Sequence, residues 1–217
     1  MIGAMSRHWP LHALRISTPT LELRIPDEAL LDELLDLARQ GIHDPAVMPF
    51  VVPWTDTPQD RFATMFLQYH WRLQATFGPA GWVLNFAVLR DGRVVGTQGV
   101  ETVEFATRRS FDTGSWVGRA YQRQGIGLEM RRAVLTFGFD HLGAELANTA
   151  AIEGNPASVA VTRRIGYEPN GWATVSPRGT PVREDRFVLT RRRWEESGAR
   201  LRIGVEGLEP CRSLLGV

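Results

Sequence analysis

The run Gln122-Arg123-Gln124-Gly125-Ile126-Gly127 restricts the fold of this chain more than any other stretch. It follows the apolar stretch Trp116-Val117-Gly118 and leads directly into a segment with Ile126, Met130, Ala133, Val134 and Phe137 at helical spacing. Strand, glycine turn and helix in that order present free backbone N–H groups to an anion at the helix start. Glycine suits such a turn because a Cβ would hinder close approach of a pyrophosphate to the main chain. The helix dipole adds attraction for negative charge at the same spot. A glycine pair alone also serves as a plain turn. A Rossmann turn needs a third glycine and an acidic residue roughly 20 positions on. A Walker loop needs a lysine, and this chain has none: its 25 Lys or Arg positions are all Arg.

The remaining pattern places this turn in a mixed α/β chain. Residues 20–25 alternate Leu21, Leu23 and Ile25 with charged residues, which predicts a first strand. Pro26-Asp27-Glu28 opens a helix with the apolar stripe Leu30, Leu31, Leu34, Leu35 and Ala38, ended by Gly41. Residues 42–56 carry three prolines yet hold Met48, Phe50, Val51, Val52 and Trp54. A loop this apolar either docks on the core or lines a pocket. Thr57-Pro58-Gln59-Asp60 has the form of a capping box with Thr57 as cap, opening a helix to about residue 76. Segments 82–89 and 93–105 read as strands joined by the hairpin signal Asp91-Gly92. Beyond them the pattern predicts a strand over 111–117, a helix over 125–142, a strand over 144–151 and a helix over 155–165. A strand pair, 167–175 and 182–189, closes the domain. Arg108-Arg109 and Arg191-Arg192-Arg193 read as solvated charge, and 196–217 as a poorly ordered tail after a domain spanning 1–195.

Three motifs in order resemble a known family. Gly114-Ser115-Trp116-Val117 is followed by Arg123-Gln124-Gly125-Ile126-Gly127-Leu128-Glu129, then by a helix from Asn155-Pro156-Ala157-Ser158 to Ile165-Gly166-Tyr167. Together they are similar to the GNAT superfamily of acyl-CoA-dependent N-acyltransferases, in its ribosomal-protein-alanine (RimJ/RimL) type. The resemblance implies a mostly antiparallel, seven-stranded sheet flanked by helices, with two central parallel strands that splay apart around the thioester. It also implies acetyl-CoA or another acyl-CoA as co-substrate, no metal, and a homo-oligomer, dimer or higher. By the same resemblance Trp116 and Val117 belong to the strand that holds the pantetheine, with the Val117 N–H polarising the thioester carbonyl. Gln122, Arg123, Gln124, Gly125, Ile126, Gly127 and Leu128 hold the pyrophosphate. Asn155 either caps its helix or also contacts the pantetheine, and Ser158 lies where many relatives place a hydroxyl near the thiol. Many relatives carry a tyrosine four residues past this Asn; Val159 stands there and points away from a tyrosine acid. Arg163 and Arg164 either reach the 3′-phosphate or are solvated.

Transfer of an acyl group to an amine needs a neutral nucleophile, so a carboxylate or water chain must take its proton. It also needs a donor to the carbonyl oxygen. Relatives often show a glutamate at the position of Asp112, which ranks first as base, with Glu104 second and Glu101 third. Met48, Phe50 and Trp54 are expected to line the acceptor pocket. With only Asp44 and Asp56 in that loop, a polycationic acceptor is less favoured than a protein N-terminus or a less charged small amine. A succinyl donor would need an Arg or His at the thioester end, and His43, His70 or an arginine could serve.

Composition removes other classes. Formal net charge is +1 and no nucleic-acid motif is present, so neither nucleic acid nor a membrane surface is favoured. Cys211 is the only cysteine, which excludes an internal disulfide and fits a cytoplasmic protein. The first eight residues lack the apolar core of a signal peptide. A second hypothesis is a catalytically idle acyl-CoA-binding or regulatory module, since Asp112 and Val159 replace the usual Glu and Tyr.

Overall fold

The computed structural model describes residues 8–217. Residues 1–7, including most of the stretch read as lacking a signal-peptide core, lie outside the described residues. A 3-10 turn at Pro10–Ala13 leads into the short hairpin β1 (Arg15–Ser17) and β2 (Glu22–Arg24). Helix α1 (Glu28–Arg39) starts where the Asp27 side chain accepts the Leu30 N–H at 3.0 Å, and it buries Leu31, Leu34, Leu35 and Ala38. Helix α2 (Gln59–Ala75) lacks the predicted cap: Pro58 is its N-cap and no side chain bonds there. Thr57 sits one residue too early, and its N–H is taken by the Trp54 carbonyl of a preceding 3-10 turn.

Strands β3 (Gly81–Arg90) and β4 (Arg93–Val103) form the predicted hairpin. Asp91 and Gly92 both take positive φ, 50° and 74°, which a two-residue type I′ turn requires. The single-turn helix α3 (Phe105–Arg108) precedes β5 (Ser110–Val117). Helix α4 (Ile126–Thr136) follows the glycine turn and passes into a π turn, Phe137–His141. Gly138 is required there, because a Cβ would stand 2.4 Å from the Phe111 ring. Strand β6 (Leu146–Ile152), helix α5 (Pro156–Ile165) and the pair β7 (Glu168–Val175) and β8 (Val182–Thr190) complete the predicted order. Helix α6 (Arg191–Glu196) replaces the expected run of solvated charge: Trp194 is buried, and Arg191 and Arg193 donate to the Phe139 and Gly166 carbonyls.

The tail differs from expectation. The expected tail 196–217 is not a poorly ordered extension: β9 (Gly204–Glu206) pairs with β1, and α7 (Arg212–Leu215) packs on the main core through Leu215. Leu208, Cys211 and Leu215 are buried in the main core, and the buried Trp82 indole donates to the Leu215 carbonyl at 3.0 Å. The physical reason is edge pairing of a three-residue strand plus three anchors at helical spacing over only eight residues, both too short to read as elements. The predicted tail therefore shares one core with the domain.

One sheet results, in the order β7-β8-β6-β5-β4-β3-β2-β1-β9. It has nine strands rather than the predicted seven, because the amino-terminal strand is a hairpin and the tail adds an edge. Only β5 and β6 pair in parallel; every other neighbour is antiparallel. Helices α4 and α5 cover one face over the main core, while α1 and α2 cover part of the other, over Ala87, Leu89 and Val94.

Candidate active site

The parallel pair defines the site. β5 and β6 are in register from Ser110–Leu146 to Thr113–Thr149 and then part. Beyond that point β5 stays with β4 as far as Val117, and β6 stays with β8 as far as Ile152. A wedge opens between them, and each strand delivers a helix to its mouth, β5 leading to α4 and β6 to α5. Amides alternate in direction along a strand. The Gly118 N–H donates to the Val95 carbonyl on the β4 side at 3.0 Å. One residue out of phase, the Val117 and Ser115 amides therefore face the wedge.

The glycine turn closes the mouth. Arg123 and Gly125 take φ of 59° and 85°, bending the chain so that α4 begins at Ile126 with its first amides directed outward. A Cβ on Gly127 would meet nothing within 4 Å, so open space lies against the helix start. Glu129, in the first turn, would oppose an anion there. Its carboxylate is instead drawn aside by the Thr18 and Thr20 hydroxyls at 2.6 and 2.8 Å. Arg90 reaches the same turn from the end of β3, donating to Gln124 at 3.1 Å. Sequence reasoning missed Arg90, because only the sheet brings it 34 residues across to Gln124. Leu128 packs its side chain on the main core, and its N–H donates to the Gly125 carbonyl at 3.1 Å. The Gln122 side chain does not point at the anion site: it donates to the carbonyls of Val117 and Ile42.

On the α1/α2 face, Asp112, Gly114 and Trp116 follow one another at strand spacing. Opposite them stand Glu101, Gly99 and Thr97. Gly99 and Gly114 are direct partners, so the floor between the carboxylates and the indole is bare backbone. The aromatic wall beside this trough is Trp116 against Trp54, with centroids 6.1 Å apart, and Trp54 in turn against Phe50, Phe62 and Phe66. Phe50 and Trp54 thus pack on the second core cluster, and Met48 is buried. The docked reading of the loop is the one the packing bears out. Arg178, at the turn between β7 and β8, clasps this loop through a bidentate pair to Asp56 at 2.6 and 2.7 Å and a bond to the Pro45 carbonyl at 2.9 Å.

The three carboxylates are not equivalent. Burial raises the Asp112 carboxyl above the ordinary range, with Arg108 and Arg186 opposing. Glu101 lies directly across from it, beneath Tyr69 of α2, whose hydroxyl burial and Glu101 both push up. Glu104 is not brought to the wedge. The strand ends at Val103, and Glu104 takes a left-handed conformation as the start of α3. Four residues separate it from Val100, which sits beside the parting point, or roughly 13 Å along the sheet.

At α5, the Asn155 side chain accepts the Ser158 N–H at 3.1 Å, an ordinary N-cap. Ser158 is half-buried in the first turn, and Val159 packs on the main core. Under the wedge lies a residue with no sequence signal. Arg131 of α4 is only 5% exposed and forms no ion pair among the described residues. Its guanidinium spans the two parting strands, donating to Thr149 of β6 at 2.9 Å and approaching Ser115 of β5 at 3.4 Å. Burial lowers its pKa, opposed by the Tyr167 hydroxyl.

A splayed parallel pair with a glycine-led helix at its mouth is the arrangement implied by the resemblance, and the acetyltransferase (GNAT) domain profile matches residues 20–168. The chain belongs to the GNAT acetyltransferase family. Among GNAT relatives it is 26% identical over 114 residues to the Bacillus subtilis (strain 168) protein named "Putative ribosomal N-acetyltransferase YdaF". That similarity covers 52% of this chain and 62% of the relative, so the chain spans less than two thirds of that protein. Mycobacterium smegmatis RimJ, solved with a CoA disulfide, superposes with a TM-score of 0.67 at 17% identity, covering 88% of this chain and 97% of that one. The RimL ribosomal L7/L12 α-N-protein acetyltransferase with CoA gives 0.64 at 19%, covering 80% and 95%. This GNAT member shares the mixed sheet and flanking helices of those structures, with two more strands than predicted.

Proposed function

We propose that this GNAT protein transfers a short acyl group, acetyl first, from acyl-CoA to the primary amine of a protein N-terminus. The observation that carries this reading is the wedge after Thr113 and Thr149, with the Val117 amide facing it and the open start of α4 at its mouth. CoA, when bound, supplies an activated thioester. The pyrophosphate lies against the first amides of α4 and the Arg90 side, since these combine free donors, dipole and positive charge. The pantetheine follows β5, and the Val117 N–H donates to the thioester oxygen as negative charge develops on it. The amine crosses the Gly99–Gly114 floor. Five residues of β5, roughly 16 Å, separate Asp112 from Val117, so Asp112 takes the proton through a chain of waters. A C–N bond forms, the C–S bond breaks, and the thiolate gains a proton, a role proposed for the Ser158 hydroxyl in the first turn of α5.

The trough supports a peptide end: its walls are aromatic on one side, and the charged residues around Asp112 include Arg108 and Arg186 as well as Glu101. That balance suits a singly charged amine better than a polycation. Among the described residues no helix is long and apolar enough to cross a membrane, and a cytoplasmic, homo-oligomeric enzyme is part of the proposal. Thiol release from acetyl-CoA tests it with peptide N-termini against polyamines and aminoglycosides. Turnover with peptides supports the reading; CoA binding without turnover of any amine supports the idle module.

A donor with its own carboxylate, such as succinyl, is a second reading, supported by Arg131. A buried cation without an anionic partner is costly, and a carboxylate entering the wedge would supply one. Arg131→Met keeps the bulk and removes the charge. If this reading holds, the succinyl-CoA to acetyl-CoA ratio of kcat/KM falls at least tenfold in the variant. An unchanged ratio leaves Arg131 as scaffold.

A further inference from the structure

Gln122 stands in the phosphate turn, yet both of its amide protons are spent elsewhere. Its Nε2 donates to the Val117 carbonyl at 2.8 Å and to the Ile42 carbonyl at 2.6 Å. Val117 is the end of β5, whose other polar group faces the wedge. Ile42 is the buried start of the 42–56 loop, which carries the aromatic wall of the trough. One side chain therefore ties the donor strand to the acceptor loop across 80 residues of sequence. A second bond runs parallel to it, from the Arg119 N–H to the Gly41 carbonyl at 3.1 Å. The same segment is keyed to α1, because a Cβ on Gly118 would stand 2.6 Å from Leu37.

We propose that Gln122 is a positioning residue that couples the two substrate sites, so that acyl-CoA binding orders the acceptor loop and raises acceptor affinity. The inference rests on the acyltransferase reading above. The physics is local dielectric. Gln122 is exposed on the turn, where water competes for the Val117 carbonyl, while the bond to the buried Ile42 is only partly shielded. A cofactor lying along the turn excludes that water, and the same bonds strengthen in the lower dielectric. The loop start is then held harder only when donor is present. By linkage the effect is reciprocal: acceptor binding tightens donor binding by the same factor. No new contact between the substrates is needed.

Gln122→Met keeps the length of the side chain and removes both donors. Hydrogen exchange of residues 42–56, with and without CoA, gives a readout that a merely structural role would not move. In the wild type CoA should slow exchange across this loop. In Gln122→Met the CoA dissociation constant should change less than about threefold, while CoA-dependent protection disappears. The acceptor KM measured at saturating acyl-CoA should rise about tenfold, with kcat changed far less. Gln124→Met, read at saturating CoA, is the control: its amide donates to the Ala120 carbonyl and accepts from Arg90, and neither bond reaches the 42–56 loop, so loop protection by CoA should persist. Equal protection in wild type and Gln122→Met overturns the coupling. Loss of protection in both variants also overturns it, since any damage to the turn would then suffice. Wild-type protein that binds no CoA defeats the acyltransferase reading itself, a distinct failure.

Discussion

Burial pushes Asp112 and His70 in opposite directions, because it disfavours whichever form carries charge. For Asp112 the carboxyl rises above its ordinary value while staying on the open face beside Glu101. If it is the base, it must be ionised to accept a proton, so a raised pKa moves the acidic limb of the pH–rate profile upward. Asp112→Asn should lower kcat by roughly 10²–10⁴, the usual worth of general acid–base catalysis, and flatten that limb. CoA affinity should hold, since the residue lies off the phosphate turn. A normal kcat in Asp112→Asn with a crippled Glu101→Gln would transfer the role across the strand pair. His70 is 4% exposed in α2 against Phe66, and burial lowers its pKa from 6.5 to about 4. Between those values the unfolded chain binds the proton and the folded one does not. Stability therefore falls as pH drops through that window, by at most about 3 kcal/mol. Denaturant unfolding at pH 7 and pH 4.5 should show the loss, and His70→Leu should reduce it. Asp112 was reachable from its position in a motif; the neutral state of His70 and the lone charge of Arg131 were not, since burial is decided by partners far away in sequence.

The glycine turn was legible as an element because its parts are contiguous: apolar strand, turn and amphipathic helix follow one another within about two dozen residues. What the contiguous pattern did not distinguish is the work of its two glycines. Gly125 needs φ of 85°, whereas Gly127 has ordinary backbone and open space beside its Cα. Gly127→Glu is therefore the cleaner probe. It should fold normally and weaken CoA binding at least tenfold, about 1.4 kcal/mol, by placing a carboxylate against the phosphates. Unchanged affinity by calorimetry would remove the turn from the cofactor site. The first helix was read correctly from Asp27 and its leucine stripe, since cap and stripe are both local. The cap of α2 was misread by one residue, because the Trp54 turn claims Thr57 before the helix starts.

Across the whole molecule, the least legible part is the carboxyl-terminal segment. Leu208, Cys211 and Leu215 fall at helical spacing, but over only eight residues bounded by Gly207 and Gly216, too short a stretch to stand out as an element, and all three sit in the main core. Leu215 is fully buried, and the carbonyl of that residue holds the Trp82 indole. Leu215→Ala should cost about 2–5 kcal/mol, as other core truncations to alanine do, and lower the thermal midpoint. If the midpoint does not move, the tail is an appendage after all. By itself the sequence determined the order of the seven central strands and the four long helices, the glycine turn and the position of Asp112, because period, caps and motif spacing act between near neighbours. Tertiary structure alone decided the rest: the parting of β5 from β6, the glycine floor, the Gln122 tie and the buried Arg131. Each depends on which strands become partners, and that pairing is settled by burying one shared core rather than by any local pattern.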